Sequence, residues 1–263
     1  PTSYYVDWNA SATIAGLTDQ SSTAASFLES GGALTTINIP SSVLTGTYNG
    51  SLIISNSNGC SNTKAISILI KQLPVVSFDV DAGLNICQNS EVTYTTQSGK
   101  SNYQLIPTGS LNTEYVITNG GLGTTNNTVS LKWLTTGSKT MQVNYTDVNS
   151  CTAATNQNTT GTVNALPTVT ITKAETSGTA NNDATICKGA TITLSGGGAS
   201  TYSWTGGISD GVIFSPTTTT TYTVTGTDIN LCSNTLSQTV SVNVLPTVTI
   251  TKAETSGTAN NDA

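Results

Sequence analysis

TITLSGGGASTYSW (191–204) and TTTTYTVTGTD (218–228) are the stretches on which the fold turns. In the first, Ile192 and Leu194 alternate with threonines. After the glycines, Tyr202 and Trp204 share one face. In the second, Tyr222 and Val224 share a face between threonines. A period of two is that of a strand with one face buried, and the GGG run between two such segments reads as a turn. Working outward, GVIFSP follows, then a loop carrying Cys232, then the alternating TVSVNV (239–244).

The same plan recurs upstream. SEVTYTT, SNYQLIP, VSLKWLTT, KTMQVNYTD and TTGTVNA surround Cys87 and Cys151. Leu105 stands where the later unit has Trp204, and Trp133 is expected to fill that core from a neighbouring strand. Further upstream, SYYVDWN (3–9), ALTTINIP (33–40), TGTYNGSLIISN (45–56) and AISILIK (65–71) read as strands of a unit that begins late. No segment shows the 3.6 period of a helix.

Three marks punctuate the chain: KQLP (71–74), NALP (164–167) and NVLP (243–246). Proline lacks the N–H a ladder needs and sits well between the end of one sheet and the start of the next. The spacings are 167 − 74 = 93 and 246 − 167 = 79 residues, sizes suited to a seven-stranded sandwich. LPTVTITKAETSGTANNDA (166–184) recurs without a change at 245–263, an offset of 79 residues. Identity at domain spacing is tandem duplication. The expected organisation is all-β, with tandem Ig-like sandwiches in a rod. Residues 1–72 form an N-terminally truncated Ig-like domain. Residues 73–165 and 166–244 each form an Ig-like domain, with 245–263 the first strand of a following repeat. Trp8, Trp133, Tyr202, Trp204 and Tyr222 are the expected core anchors.

The 263 residues are 36% hydrophobic and only 8% charged, with a net charge of −6. Low charge with alternating Val, Ile, Tyr and Thr is a β-protein composition, not that of a disordered chain. Eight scattered lysines and no arginine leave no electrostatic footprint for nucleic acid or an anionic membrane. No stretch approaches the length of a membrane-spanning helix, so neither nucleic-acid binding nor membrane insertion is expected.

Histidine is absent, which excludes Ser-His-Asp and Cys-His sites. The glycine clusters at 120–123 and 196–198 lack the strand–helix context of a phosphate loop and read as turns. No enzyme activity and no organic cofactor are expected. Asp79, Asp81, Asp183 and Asp262 lie beside domain junctions, where carboxylates can take calcium and stiffen a rod. Solvated turn residues are the alternative, and the low acidic density favours it. Asp147 and Asp228 recur in TDVNSC and TDINLC and read as turn caps. Tyr4, Tyr5 and Trp8 offer a sugar-stacking platform, although alternating aromatics on a strand are more often core.

Five isolated cysteines, with no CxxC and no histidine, read as structural disulfides in an oxidising compartment. The simplest pairing is Cys87–Cys151 and Cys187–Cys232, leaving the partner of Cys60 upstream. Those bridges close 64 and 45 residues of chain, worth about 4 kcal/mol each by loop-closure entropy. One difficulty stands. Strands B and F of an immunoglobulin sandwich run the same way, so a cysteine before B and one after F lie at opposite ends. The cysteines then lie inside longer strands, or the loops fold back, or the bonds cross between adjacent domains.

ICKGATITLSGGGASTYSWTGG (186–207), SPTTTTTYTVTGTDINLC (215–232) and TVSVNVLP (239–246) closely resemble the Ig-like and PKD-like repeats of giant cell-surface proteins of Bacteroidetes. The gliding-motility adhesins of the SprB type are the nearest of these. ICQNSEVTYTTQSGKSNY (86–103) with NNTVSLKWLTTGSKTMQVNYTDVNSC (126–151) looks like the PKD-like version. IPSSVLTGTYNGSLIISNSNGCSN (39–62) looks like a third variety. Leu105 departs from the tryptophan usual on that strand. The resemblance implies export by type IX secretion to the bacterial outer cell surface. It also implies a non-catalytic role in a long adhesive filament. A surface polysaccharide or another extracellular ligand would be held through parts outside this segment, and neighbouring repeats of the same chain would be its partners. The competing readings are a carbohydrate-binding array and the accessory domains of a secreted hydrolase.

Overall fold

A computed structural model describes residues 3–21, 37–178 and 182–253. The first unit is one antiparallel sheet of β1 (Ser3–Trp8), β2 (Gln20–Ser21), β3 (Gly46–Ser55) and β4 (Ser61–Ile70), in the order β2-β1-β3-β4. Along β1 the pleat turns Tyr4, Val6 and Trp8 inward. A one-turn helix, α1 (Ala10–Ile14), follows. It starts at Asn9, whose Oδ1 accepts the Ala12 N–H at 3.0 Å, and it adds buried Ala12 to the core. Gly50 lies opposite Trp8, where a Cβ would sit 2.7 Å from the Asp7 carbonyl oxygen and 2.8 Å from the indole. Of the expected strand at 33–40, residues 37–40 form no strand and the rest lie outside the described residues.

The second unit is a two-sheet sandwich. Its strands are β5 (Phe78–Val80), β6 (Asn85–Cys87), β7 (Glu91–Thr96), β8 (Ser101–Pro107), β9 (Tyr115–Gly120), β10 (Thr128–Trp133), β11 (Gly137–Thr146) and β12 (Gln157–Asn164). The sheets are β5-β7-β10-β9 and β6-β12-β11-β8. This is the immunoglobulin arrangement, with A-B-E-D facing C-F-G and β6 added beside the last strand. Tyr94, Val129, Leu131 and Trp133 from one sheet meet Leu105, Met141, Val143, Tyr145 and Val163 from the other. Trp133 is fully buried, its ring edge-on to Tyr115 and its Nε1 donating to the Tyr94 hydroxyl at 3.2 Å. It joins the same core as Leu105 from the opposite sheet, not from a strand neighbouring β8.

The third unit repeats the topology with one strand fewer. It comprises β13 (Thr170–Glu175), β14 (Thr185–Cys187), β15 (Ile192–Gly197), β16 (Thr201–Trp204), β17 (Ile213–Phe214), β18 (Thr220–Thr227) and β19 (Ser233–Asn243). They form β13-β15-β17 against β14-β19-β18-β16. Ile186, Ile192, Leu194 and Val240 are fully buried, and the Tyr222 ring packs edge-on against Phe214. Tyr202 and Trp204 are only half buried, a correction to their reading as central anchors. Trp204 Nε1 donates to Asp210 Oδ1 at 2.9 Å, and the same oxygen accepts the Gly196 N–H at 2.7 Å. The indole therefore lies along the margin of the core with its polar edge turned outward. Residues 245–253, expected to open a further strand, form none, and 254–263 lie outside the described residues.

The threonine richness has a local cause. Across the paired strands, hydroxyls bond hydroxyls at 2.8 Å: Thr140 with Thr160, Thr221 with Thr239, and Thr223 with Ser237. Cross-strand pairs of this kind support the solvent face of a sheet without adding apolar surface.

Candidate functional site at the unit junctions

The same five-residue turn occurs three times, before β4, β12 and β19. Asp228 Oδ1 accepts the N–H groups of Asn230 at 2.9 Å and Cys232 at 2.8 Å, and the Asp228 N–H closes the loop onto the Cys232 carbonyl. Asp147 does the same for Asn149 and Cys151 at 2.8 and 3.0 Å, and Asn56 for Asn58 and Cys60 at 3.0 Å each. The fourth position needs positive φ: Gly59 at 78°, Ser150 at 64° and Leu231 at 64°. The backbone donors from Cys151 and Asn149 hold the Asp147 carboxyl below its ordinary range. The turn caps expected at Asp147 and Asp228 are seen. The Asn56 turn went unnoticed in the sequence because glycine and asparagine disguise the repeated spacing.

Register confirms that the three turns are equivalent. The residue eight before each cysteine is Leu52, Val143 or Val224 (60 − 52, 151 − 143 and 232 − 224 are all 8). These face Val6, Leu105 and Trp204 respectively on the adjoining strand. Tyr4, Tyr103 and Tyr202 therefore hold one position, and Trp8 lies beyond it.

Cys87 and Cys187 occupy the opposite end of their units. β6 runs parallel to β12 with Cys87 beside Asn164, and β14 runs parallel to β19 with Cys187 beside Asn243. Each is therefore at the finish of the last strand, whereas the turn cysteine stands before its start. β12 and β19 separate the two levels by about 24 and about 34 Å at ~3.4 Å per residue. A disulfide tolerates roughly 7 Å between Cα atoms. The expected bonds Cys87–Cys151 and Cys187–Cys232 are corrected on this ground.

The bond present joins Cys87 to Cys232, with Cα atoms 5.4 Å apart and 145 residues between them in sequence. It clasps the end of the second unit to the beginning of the third. Cys232 is fully buried. Beside it, Asn234 Nδ2 donates to the Pro167 carbonyl of the linker at 3.1 Å. At the preceding junction Lys71 Nζ donates to the Asn149 carbonyl of the corresponding turn at 3.0 Å. Cys60, Cys151 and Cys187 are free thiols, Cys60 exposed and the other two half exposed.

The remaining candidates are scattered. The pleat of β1 buries Tyr4 and Trp8 and leaves Tyr5 outward, so the three do not share a sugar-stacking face. The Tyr5 hydroxyl donates to Asp19 at 3.0 Å, which raises its pKa, with burial and the charges of Asp19 and Asp7 adding to the shift. Asp81 caps Gly83 and accepts the Thr159 hydroxyl, Asp183 accepts the Thr185 N–H, and Asp79 is exposed. Among the described residues no three His, Cys, Asp or Glu side chains gather as a metal site. No described helix is long and apolar enough to cross a membrane.

No protein-family profile and no curated protein matches the chain. Similar solved structures include the C-terminal 282-residue fragment of intimin bound to the intimin-binding domain of its translocated receptor. That match has 15% identity and a TM-score of 0.36, covering 65% of this chain and 64% of that one. The chain thus spans less than two thirds of that fragment. The I9–I11 tandem of titin matches at 11% identity and TM-score 0.34, covering 91% and 88%. Domains 4 and 5 of the S-layer protein SbsC match at 18% and 0.22, covering 46% and 66%.

Proposed function

We propose that this chain is a non-catalytic stalk segment of a long extracellular adhesin, made of serial sandwiches that separate an adhesive part from the cell. The observation that carries the reading is the Cys87–Cys232 clasp across a unit junction. A catalytic or ligand-binding domain gains little from being locked to its neighbour, whereas a spacer gains stiffness. The unchanged 19-residue block at domain spacing supports the same reading, since each added copy lengthens a spacer. Under load the bond carries force from the end of one unit directly to the start of the next, so most of both sandwiches stays unstretched. The finer proposal, from the resemblance, is a gliding-motility or surface-attachment filament exported by type IX secretion to the outer cell surface. Its polysaccharide or other ligand would be bound outside these residues.

Small-angle scattering of the oxidised chain tests the stalk. The expected profile is elongated, with the cross-section of a single sandwich. A compact particle with units packed side by side overturns it. So does turnover of a polysaccharide or peptide by the purified chain.

A further inference from the structure

We propose that the Cys87–Cys232 bond is one link of a continuing series, in which the end cysteine of each unit is bonded to the turn cysteine of the next. Cys187 is then the half-cystine toward the following unit.

The argument is positional. Cys87 and Cys187 are set by the same contacts. Each closes a three-residue strand parallel to the last strand of its unit, beside Asn164 and Asn243. The residue after each donates its N–H to that asparagine's carbonyl, Gln88 at 2.9 Å and Lys188 at 2.8 Å. Each cysteine carbonyl accepts a turn N–H, from Ser90 and Ala190. On the other side, the turns of Cys60, Cys151 and Cys232 have the same hydrogen bonds and the same register. The linkers match as well, Ala165-Leu166-Pro167 after Asn164 and Val244-Leu245-Pro246 after Asn243. The block beyond Leu245 is identical to the one that opens the third unit. A cysteine placed like Cys87, a linker of equal length and a following unit that starts with the same residues reproduce the setting of the bond already formed.

The chemistry balances as thiol–disulfide exchange. The Cys187 thiolate attacks the disulfide of an external oxidant, of the glutathione or oxidoreductase class, and releases one thiol. The thiolate of the next unit's turn cysteine then attacks the Cys187 sulfur and releases the second. Two cysteine protons and two electrons leave, and the oxidant's disulfide becomes two thiols.

The experiment extends the full chain. A second copy of residues 185–244 appended after Ala263 completes a unit identical to the third. The chain is oxidised with oxidised glutathione, and its disulfides are mapped without reduction. The expected result is Cys187 joined to the cysteine that the added copy brings from position 232, with Cys87–Cys232 retained. A Cys187→Ser version should leave that added cysteine alkylatable and change no other pairing. Cys187 recovered as a free thiol, or bonded to Cys232 of its own unit, overturns the proposal. Maleimide labelling of the native, unextended 263-residue chain gives a test that needs no new unit to fold. Cys187 should label readily while Cys87 and Cys232 do not, and a Cys187 that resists labelling contradicts an open half-cystine. The mapping bears on the link alone: its failure would leave the elongated stalk of the scattering test standing.

Discussion

Reducing the Cys87–Cys232 bond should lengthen the force-extended chain by roughly 500 Å. The bond encloses 145 residues and spans Cα atoms 5.4 Å apart. At ~3.5 Å per fully extended residue, 145 residues reach about 510 Å, against which the span of the bond is negligible. In the oxidised chain, pulling from the two ends loads only residues 1–87 and 232–263, because the force passes through the sulfurs. β7 to β12 and β13 to β18 lie inside the closed loop and bear no load. Single-molecule force spectroscopy on the chain held at its termini reads this directly. Oxidised molecules should show the first unit opening and β5, β6 and β19 peeling away, and then an inextensible limit. With reductant, two further events should appear, one for each enclosed sandwich. Cys87→Ser should behave as reduced protein does, and Cys151→Ser as unmodified protein. The intraunit alternative hides 64 and 45 residues, so reduction would then release about 225 and about 160 Å separately. Those two steps, or no change on reduction, would falsify the junction clasp.

Other expectations follow from the packing and the charges. Trp133→Ala should destabilise the second unit by about 3–5 kcal/mol in denaturant titration, as for other buried aromatic truncations. Trp204→Ala should cost the third unit clearly less, because its indole is half exposed; equal losses would contradict the burial difference. Gly50→Ala should destabilise the first unit by about 1–3 kcal/mol, since its Cβ meets the Asp7 carbonyl and the Trp8 ring. An unchanged melting curve would count against that close approach. Glu114 is held below its ordinary pKa of 4.5, first by the hydrogen bond from Lys139 at 3.1 Å and then by the Ser110 N–H. A depressed carboxyl contributes its stability above the unfolded value, and that contribution is lost as pH falls from 4.5 through the folded value. The pH dependence of the second unit's melting in that window should therefore flatten in Glu114→Gln, and an unaltered slope would exclude the pair as its source.

Much was legible in the chain alone, and for one physical reason: a half-buried strand writes a period of two into its residues. β11, β15, β18 and β19 could be read from Met141, Val143 and Tyr145, from Ile192 and Leu194, from Tyr222 and Val224, and from Val240 and Val242. The Leu-Pro marks fall between sheets because proline cannot donate to a ladder. The Asp-x-Asn-x-Cys turns announced themselves because a carboxylate two and four residues before backbone donors caps them wherever it occurs. What stayed hidden was short or nonlocal. β6 and β14 have three residues each, too few to show any period, and β9 was missed between polar turns. Yet β6 and β14 decide the chemistry of the junction. Their parallel pairing with β12 and β19 carries Cys87 and Cys187 to the far end of the sandwich from the turn cysteines. Which sulfur meets which depends on strand direction and on the fold of the next unit, and spacing along one chain encodes neither. The half-exposed Trp204, set against fully buried Leu105 at the same position, has the same origin. Alternation decides which face a side chain takes, and only the opposite sheet decides how much of that face is covered.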